Sequence, residues 1–388
     1  MNTERPEIEI EDLNKELMDR LPLSSDPDRK GKGARKRADR QPEEKPRAPR
    51  WVRVCLVLLC LIVGLGVAGI ADLAYMIHKG EKQVAKNQSR EKIRIPDGAK
   101  MDGDVVIYQG ERYQYNKQVI TILCMGVDQP ISEASKDKIG QNGQADTLVL
   151  AVLNRKTNQL KLLNISREAM TQVRVYNKGG YVGMRRMQIC LSYAYGDGKK
   201  TSCLNTLQTV SGLMYGIPIH GYVTIDYDAV SVLNDAVGGV KVKVLEDLTA
   251  HDPALKKDAE VTLKGEQAQT YVRSRNTELL ESNSMRMERQ KQYMRAFIAL
   301  ALAQTKKNPI TPVSLLSDVS PHLVTSITPA QATYLGSLAV RSHIIGGDIL
   351  TVPGKVKKGD KYAEYIIDEK GLYDLLLNTF YDKLDEGY

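Results

Sequence analysis

Asp128, Asp146, Arg167 and Glu168 stand at the ends of three short apolar runs, at 119–125, 147–153 and 160–165. Asp128 follows the first run, Asp146 precedes the second, and Arg167 with Glu168 follows the third. Carboxylate oxygens suit a hard divalent cation, and a guanidinium fork matches phosphate oxygens. Together these residues could hold a cation beside a phosphate, at the strand ends where open α/β sheets place their chemistry. The same charges could also do no more than punctuate the strands. A second basic group lies downstream in Arg273, Arg275, Arg286 and Arg289. Arginine is always charged and planar, so several near one strand end would suit a pyrophosphate, with the carboxylates offsetting their repulsion. Arg286, Arg289 and Gln290 fall at i, i+3 and i+4 and share one helix face. Ser284 is predicted to cap that helix, leaving its first-turn N–H groups for an anion. A surface ion-pair network is the competing reading.

Other chemistries find little support. His78, His220, His251, His322 and His343 form no Ser/His/Asp arrangement, and no GxSxG elbow is present. There is no phosphate loop and no dinucleotide glycine fingerprint. The net charge of +8 is local: residues 29–53 hold eleven basic and three acidic residues, so the remainder is close to neutral. With no nucleic-acid-binding signature either, a nucleic-acid partner is not expected. Of the five cysteines, Cys55 and Cys60 lie in an apolar segment and Cys124 in a strand. Cys190 and Cys203 remain, separated by twelve residues, and form a candidate disulfide worth roughly 2–3 kcal/mol. Two unrelated buried thiols are the alternative.

The elements that must position these residues are legible in outline. The 388 residues allow one large domain plus extras. Residues 1–50 read as a disordered basic tail. Within 51–77 the uncharged run 54–71, continued past Asp72 to Tyr75, is long enough to span a bilayer, with Trp51 and Tyr75 at its ends. The basic cluster precedes it, which predicts a cytoplasmic N-terminus and an external C-terminal domain. Residues 78–104 read as a polar stalk, 105–305 as the main domain and 306–388 as a helical extension packed on it. A hairpin is predicted at 105–108 and 111–115. The runs 147–153 and 160–165 should pair antiparallel across a turn at 154–158. A polar excursion at 169–187 precedes helices at 188–195 and 203–214. Then come strand 220–226, helix 227–237 capped by Asp226, strand 240–245, helix 265–273 and helix 285–305. On the last, Met294, Phe297, Ile298, Ala301 and Leu302 form a core stripe. The tail should hold helices near 312–316 and 329–341, a strand at 348–352 and a closing helix at 368–383. This alternation gives a layered α/β domain, a central mixed sheet flanked by helices, preceded by one transmembrane helix.

The segments ILCMGVD, ADTLVLAVLNRKTNQLKLLNISRE, ICLSYAYGDG, YGIPIHGYVTIDYDAVSVLNDAVGGVKVKV, LKGEQAQTYVRSR and RMERQKQ occur in order between about 119 and 300. In these segments the chain resembles the LytR–CpsA–Psr proteins, which attach polymers to Gram-positive cell walls. The resemblance implies a phosphotransferase. It would move a glycopolymer phosphate from a polyprenyl pyrophosphate carrier to peptidoglycan, with the lipid in an apolar tunnel between sheet and helices. It also implies that Asp128 and Asp146 hold Mg2+, and that Arg167, Arg275 and Arg286 bind the pyrophosphate with Arg273, Arg289 and Gln290 close by. Asp146 is the candidate general base. The chain departs from the family pattern at Val127, Glu168, Asn283 and Gln188. A polyprenyl-pyrophosphate hydrolase and a non-catalytic cell-wall binding protein are the alternatives.

Overall fold

The computed structural model describes residues 69–86, 92–274, 282–342 and 349–384. The basic tail, most of the apolar run 54–71, Arg275 and His343 lie outside them. Among the described residues no helix is long and apolar enough to cross a membrane.

Six strands form the central sheet, in the spatial order Leu323–Thr325, Gly221–Asp226, Val119–Val127, Ala145–Asn154, Gln159–Ile165, Ile349–Thr351. Val119–Val127 runs antiparallel to Ala145–Asn154 and parallel to Gly221–Asp226, so the sheet is mixed. Ala145–Asn154 and Gln159–Ile165 pair antiparallel, as their shared turn implies. In that turn the Asn154 side chain accepts N–H bonds from Lys156 and Thr157, the local bonding that makes Asn a turn former.

The three long strands carry apolar residues on both faces along their middles because both faces are covered. Leu123, Leu148, Leu150 and Leu163 are fully buried on one face, in a core shared with helices Lys200–Leu213 and Glu369–Phe380. Each such side chain contributes about 1.5–3 kcal/mol. Ile122, Cys124, Thr147 and Ala151 alternate with them and face the other way.

Several elements depart from expectation. The excursion at 169–187 is a two-stranded hairpin, Met170–Asn177 with Gly180–Gln188. Gln188 therefore ends a strand, and only Leu191–Ala194 is helical of the span 188–195. Lys241–Lys243 pairs with Glu260–Thr262 in a separate ribbon rather than joining the central sheet. The long helix runs Ser282–Lys307, so Ser284 lies within it and does not cap it. The segment expected as a helical extension supplies strands at both edges of the sheet: Ile349–Thr351, within the strand expected at 348–352, and Leu323–Thr325, which was not expected. It also holds a hairpin, Gly354–Lys358 with Ala363–Ile367. Its last helix stops at Phe380, because Tyr381–Leu384 turns extended to pair with Glu111–Tyr115. The expected stalk begins in a helix: residues 69–86 are helical, so the helix also takes in the end of the expected span 51–77, and Val84 packs with Ile120, Leu153, Tyr334 and Leu338.

His220 joins two parallel strands. Its Nδ1 accepts the Thr121 N–H at 3.1 Å, which requires the neutral ring. Burial, aided by Arg155, lowers its pKa to about 4. The folded state thus binds a proton more weakly than the unfolded state, whose imidazole titrates near 6.5. Stability from this residue is complete above pH 6.5 and is lost as pH falls toward 4, by about 3 kcal/mol. Urea unfolding at pH 7 and pH 4 is expected to show this loss in the wild type and a smaller one in His220→Gln. Equal losses would remove His220 as the cause.

Candidate functional site

The site lies where three strands of the sheet reach one end. Val127 pairs with Ala145 across a bulge, which sets Asp128 beside the start of the strand that carries Asp146. Ile165 pairs with Leu148, and two residues further on Arg167 returns to the same end. Its Nη1 binds Asp146 Oδ1 and its Nη2 binds Gln144 Oε1.

The long helix brings Arg286 to the other side of the same carboxylate. Arg286 Nη1 donates to Asp146 Oδ2 at 3.0 Å, and Nη2 to Asn283 Oδ1 at 2.9 Å. Asn283 Nδ2 in turn lies 3.3 Å from Ser166 Oγ. One carboxylate thus joins two guanidinium groups from distant parts of the chain, with Arg286 almost wholly buried.

Asp128 is held differently. Its Oδ1 accepts the Gln144 N–H at 2.6 Å. Burial raises its carboxyl above the usual range; the Gln144 N–H opposes this and the like charge of Asp146 adds to it. The loop before Gln144 passes close enough that a Cβ on Gly143 would stand 2.9 Å from Asp128 Oδ1, and Gly143 has φ +80°. Only glycine meets both conditions without strain. The donor set of Asp128 and Asp146 is all oxygen, which fits a hard divalent cation rather than a soft one.

These groups rim an apolar cavity of about 580 Å³. Its wall is the second face of the sheet, and its cover is the long helix with Asp228–Ala236, Thr311–Asp318 and Pro329–Arg341. Met294, Phe297, Ile298, Ala301 and Leu302, expected as a core stripe, line this space, and of these Phe297 and Ala301 also pack against the core around Val240 and Tyr271. Asp128, Asp146, Arg273 and Arg286 contribute its polar portion. Arg273 is exposed, and its guanidinium stacks 4.3 Å from the Tyr227 ring centroid.

The remaining expected residues divide. Arg289 is fully buried and points elsewhere: its Nη atoms bind the carbonyls of Tyr271 and Ser274, and Nε pairs with Glu246 at 2.6 Å. Gln290 Nε2 donates to Val272 O at 3.1 Å while the residue also touches the cavity. Both therefore secure the last carbonyls of helix Glu266–Arg273, groups that have no partner within the helix. Glu168 is buried, and its carbonyl accepts the Tyr365 N–H. Cys190 and Cys203 are free thiols, not a disulfide. Cys190 Sγ lies 3.4 Å from Arg167 Nη2, whereas Cys203 Sγ lies 3.2 Å from Thr224 Oγ1. Burial pushes the Cys190 thiol up to about 11 despite Arg167, so it is protonated at neutral pH and a poor nucleophile.

Gln144, Gly143, Ser166 and Cys190 belong to the site without having been singled out for it. Gln144 had a signal, since it stands two residues before Asp146 in an extended segment, where side chains share a face. Nearby, Asp226, Asp228 and His322 lie close enough to hold a cation. Asp226 already accepts the N–H groups of Ile131, Asp228 and Ala229 and the His322 ring at 3.0 Å. These bonds make it a structural anchor between the loop after Asp128 and helix Asp228–Ala236.

A model of the LytR_cpsA_psr family matches residues 74–378. The chain is 28% identical over 249 residues to a Bacillus subtilis protein, polyisoprenyl-teichoic acid–peptidoglycan teichoic acid transferase TagV; the match covers 63% of this chain and 56% of that one. It therefore spans little more than half of that relative's length. TagU of Bacillus subtilis, of the same descriptive name, is 27% identical over 248 residues, covering 63% of this chain and 70% of TagU. The fold resembles the solved structure described as TagT bound to LI-WTA, with a TM-score of 0.52 and 19% identity over 76% of this chain and 96% of that one.

A raised carboxyl pKa means that the charged form of Asp128 destabilises the fold. That cost is absent below the unfolded pKa near 3.9 and grows as pH rises through the folded pKa. Asp128→Asn in chelator-treated protein is therefore expected to unfold at a higher temperature than wild type at pH 7, with the gap closing below pH 4. A lower unfolding temperature at pH 7 would contradict this account of Asp128.

Proposed function

The chain belongs to the LytR–CpsA–Psr family, and from that premise we propose that it is a phosphotransferase. It moves a glycopolymer phosphate, of the teichoic acid or capsule class, from a polyprenyl pyrophosphate carrier to peptidoglycan. The observation that carries this reading is the junction of a charged cluster with an apolar cavity. Such a junction suits an amphiphile with a hydrocarbon tail and a pyrophosphate head, and the names of TagV and TagU describe teichoic acid transfer from a polyisoprenyl-linked donor to peptidoglycan.

The roles follow from the geometry. The apolar wall takes the tail out of water, and Arg167 and Arg286 bind pyrophosphate oxygens through their outer N–H groups. Asp146 keeps the two guanidinium groups at one place despite their repulsion. Arg273 stands at the rim, and Arg275 follows it in sequence. A sugar hydroxyl of peptidoglycan attacks the phosphorus that carries the polymer. The bond from that phosphorus to the bridging oxygen breaks, and polyprenyl phosphate leaves. The arginines stabilise the charge that collects on the leaving group. The hydroxyl proton goes to a carboxylate of the pair. Asp128 fits that role through an oxygen that a cation leaves free, because both oxygens of Asp146 sit on guanidinium groups. Mg2+ held by Asp128 and Asp146 would supply further positive charge to the pyrophosphate.

The proposal includes a single membrane anchor, with the N-terminus cytoplasmic and the domain external. Its support is the uncharged run 54–71 behind eleven basic residues in 29–53.

Asp146→Ala and Arg167→Ala are each expected to lower Mg2+-dependent transfer by about a hundredfold or more. The assay is product analysis with a lipid-pyrophosphate donor, run with and without peptidoglycan. Undiminished transfer by both variants would sink the assignment. Equal release of polymer to water without acceptor would make the protein a hydrolase.

A further inference from the structure

The hairpin of Met170–Asn177 and Gly180–Gln188 has no role in the mechanism above. Its two strands pair only with each other. Between Met170 and Gln188 the sequence holds Arg174, Lys178, Arg185 and Arg186 and no acidic residue. One face is accounted for: Val173 and Val175 are buried, and the backbone of Arg174 is tied to Asn205 of helix Lys200–Leu213.

The other face is set by register. Gln172 opposes Arg186, Arg174 opposes Met184, and Tyr176 opposes Tyr181 across a bulge, and cross-strand partners share a face. This face is open to solvent, with Tyr181 58% and Met184 45% exposed and Arg186 exposed as well. Tyr176 and Tyr181 meet edge to face with ring centroids 5.6 Å apart. The strip leads to the site, because Met170 opposes Gln188 at its base. Gln188 Oε1 lies 3.9 Å from Cys190 Sγ, which is itself 3.4 Å from Arg167 Nη2.

We infer that this face is the docking strip for the anionic polymer chain of the donor, the part beyond its pyrophosphate. The inference rests on the transferase reading above. Its ground is charge complementarity: Arg174 and Arg186 lie on this face, Lys178 lies in the turn at its tip, and the hairpin holds no acid, which suits a chain of phosphodiesters. Guanidinium groups bind phosphate in pairs of N–H bonds, and the tyrosine rings offer apolar faces to the C–H surfaces of sugars or polyols. An extended strand advances about 3.4 Å per residue, so eight paired residues form a strip of roughly 27 Å, long enough for several repeats. A neutral glycan would have no use for the arginines.

The test is a double variant, Tyr181→Ala with Arg186→Ala, in the full chain, whose exposed positions leave the core intact. Two donors are compared: one with a long polyol-phosphate polymer and one with only the first sugar on the pyrophosphate. The variant is expected to lose about tenfold in kcat/KM with the long donor and nothing with the short one. Binding of a lipid-free poly(glycerol phosphate) chain is expected to weaken by a similar factor and to weaken in wild type as salt rises. This binding measurement needs no catalysis, so it stands even if the transferase reading fails. Equal losses on both donors, or no loss on the long one, would overturn the docking strip. So would unchanged polymer binding accompanied by lost binding to phosphatidylglycerol vesicles, which would make the strip a membrane contact.

Discussion

The carboxylate of Asp146 sits between two guanidinium groups, and the arrangement of the site depends on that bridge. Arg167 arrives from the end of a strand and Arg286 from a helix well over a hundred residues later. Without an anion between them the two cations would repel in a place of low polarity, where such repulsion is poorly screened. The bridge also fixes the long helix to the sheet at one end of the cavity. Breaking a buried pair by removing one partner commonly costs several kcal/mol because the other charge is stranded. The same carboxylate therefore serves folding and chemistry, and the helix that covers the cavity is positioned by the group that faces the substrate.

Most of the sheet was legible because its signal is local. Apolar runs of strand length, a turn built on Asn154 and a glycine pair after 237 mark elements whatever their surroundings. What could not be read was which apolar face meets a solid core and which meets a hollow. Leu123 and Cys124 are neighbours in one strand; one is fully buried against helices and the other lines the cavity. A lipid-sized void is walled by the same residue types as a core, so Phe297 and Ile298 look like packing residues in sequence. The edge strand Leu323–Thr325 is only three residues long, too short to carry a pattern, whereas Ile349–Thr351 falls within the strand expected at 348–352.

The site itself was half legible for a related reason. Helical spacing correctly places Arg286, Arg289 and Gln290 on one face, but a face has two ends of reach. Arg286 extends to Asp146, while one turn on Arg289 meets the open carbonyls of helix Glu266–Arg273 and closes on them. The two cysteines show the same limit. Their proximity in sequence suggests a bridge, yet Cys190 ends its approach against Arg167 and Cys203 against Thr224. Side-chain direction was decided by partners that are distant in the chain.

Charge balance gives the cluster its direction of use. Asp128 and Asp146 offset Arg167 and Arg286, and Asn283, which orients Arg286, is neutral. With Asn283 the group is close to neutral, so a bound pyrophosphate brings more negative charge than the four residues can match. Arg273 at the rim supplies one further positive charge. A divalent cation between the carboxylates would supply two more, and it would offset both the burial and the repulsion from Asp146 that raise the Asp128 carboxyl. Substrate and cation are thus expected to bind with positive coupling, each supplying the charge that the other lacks.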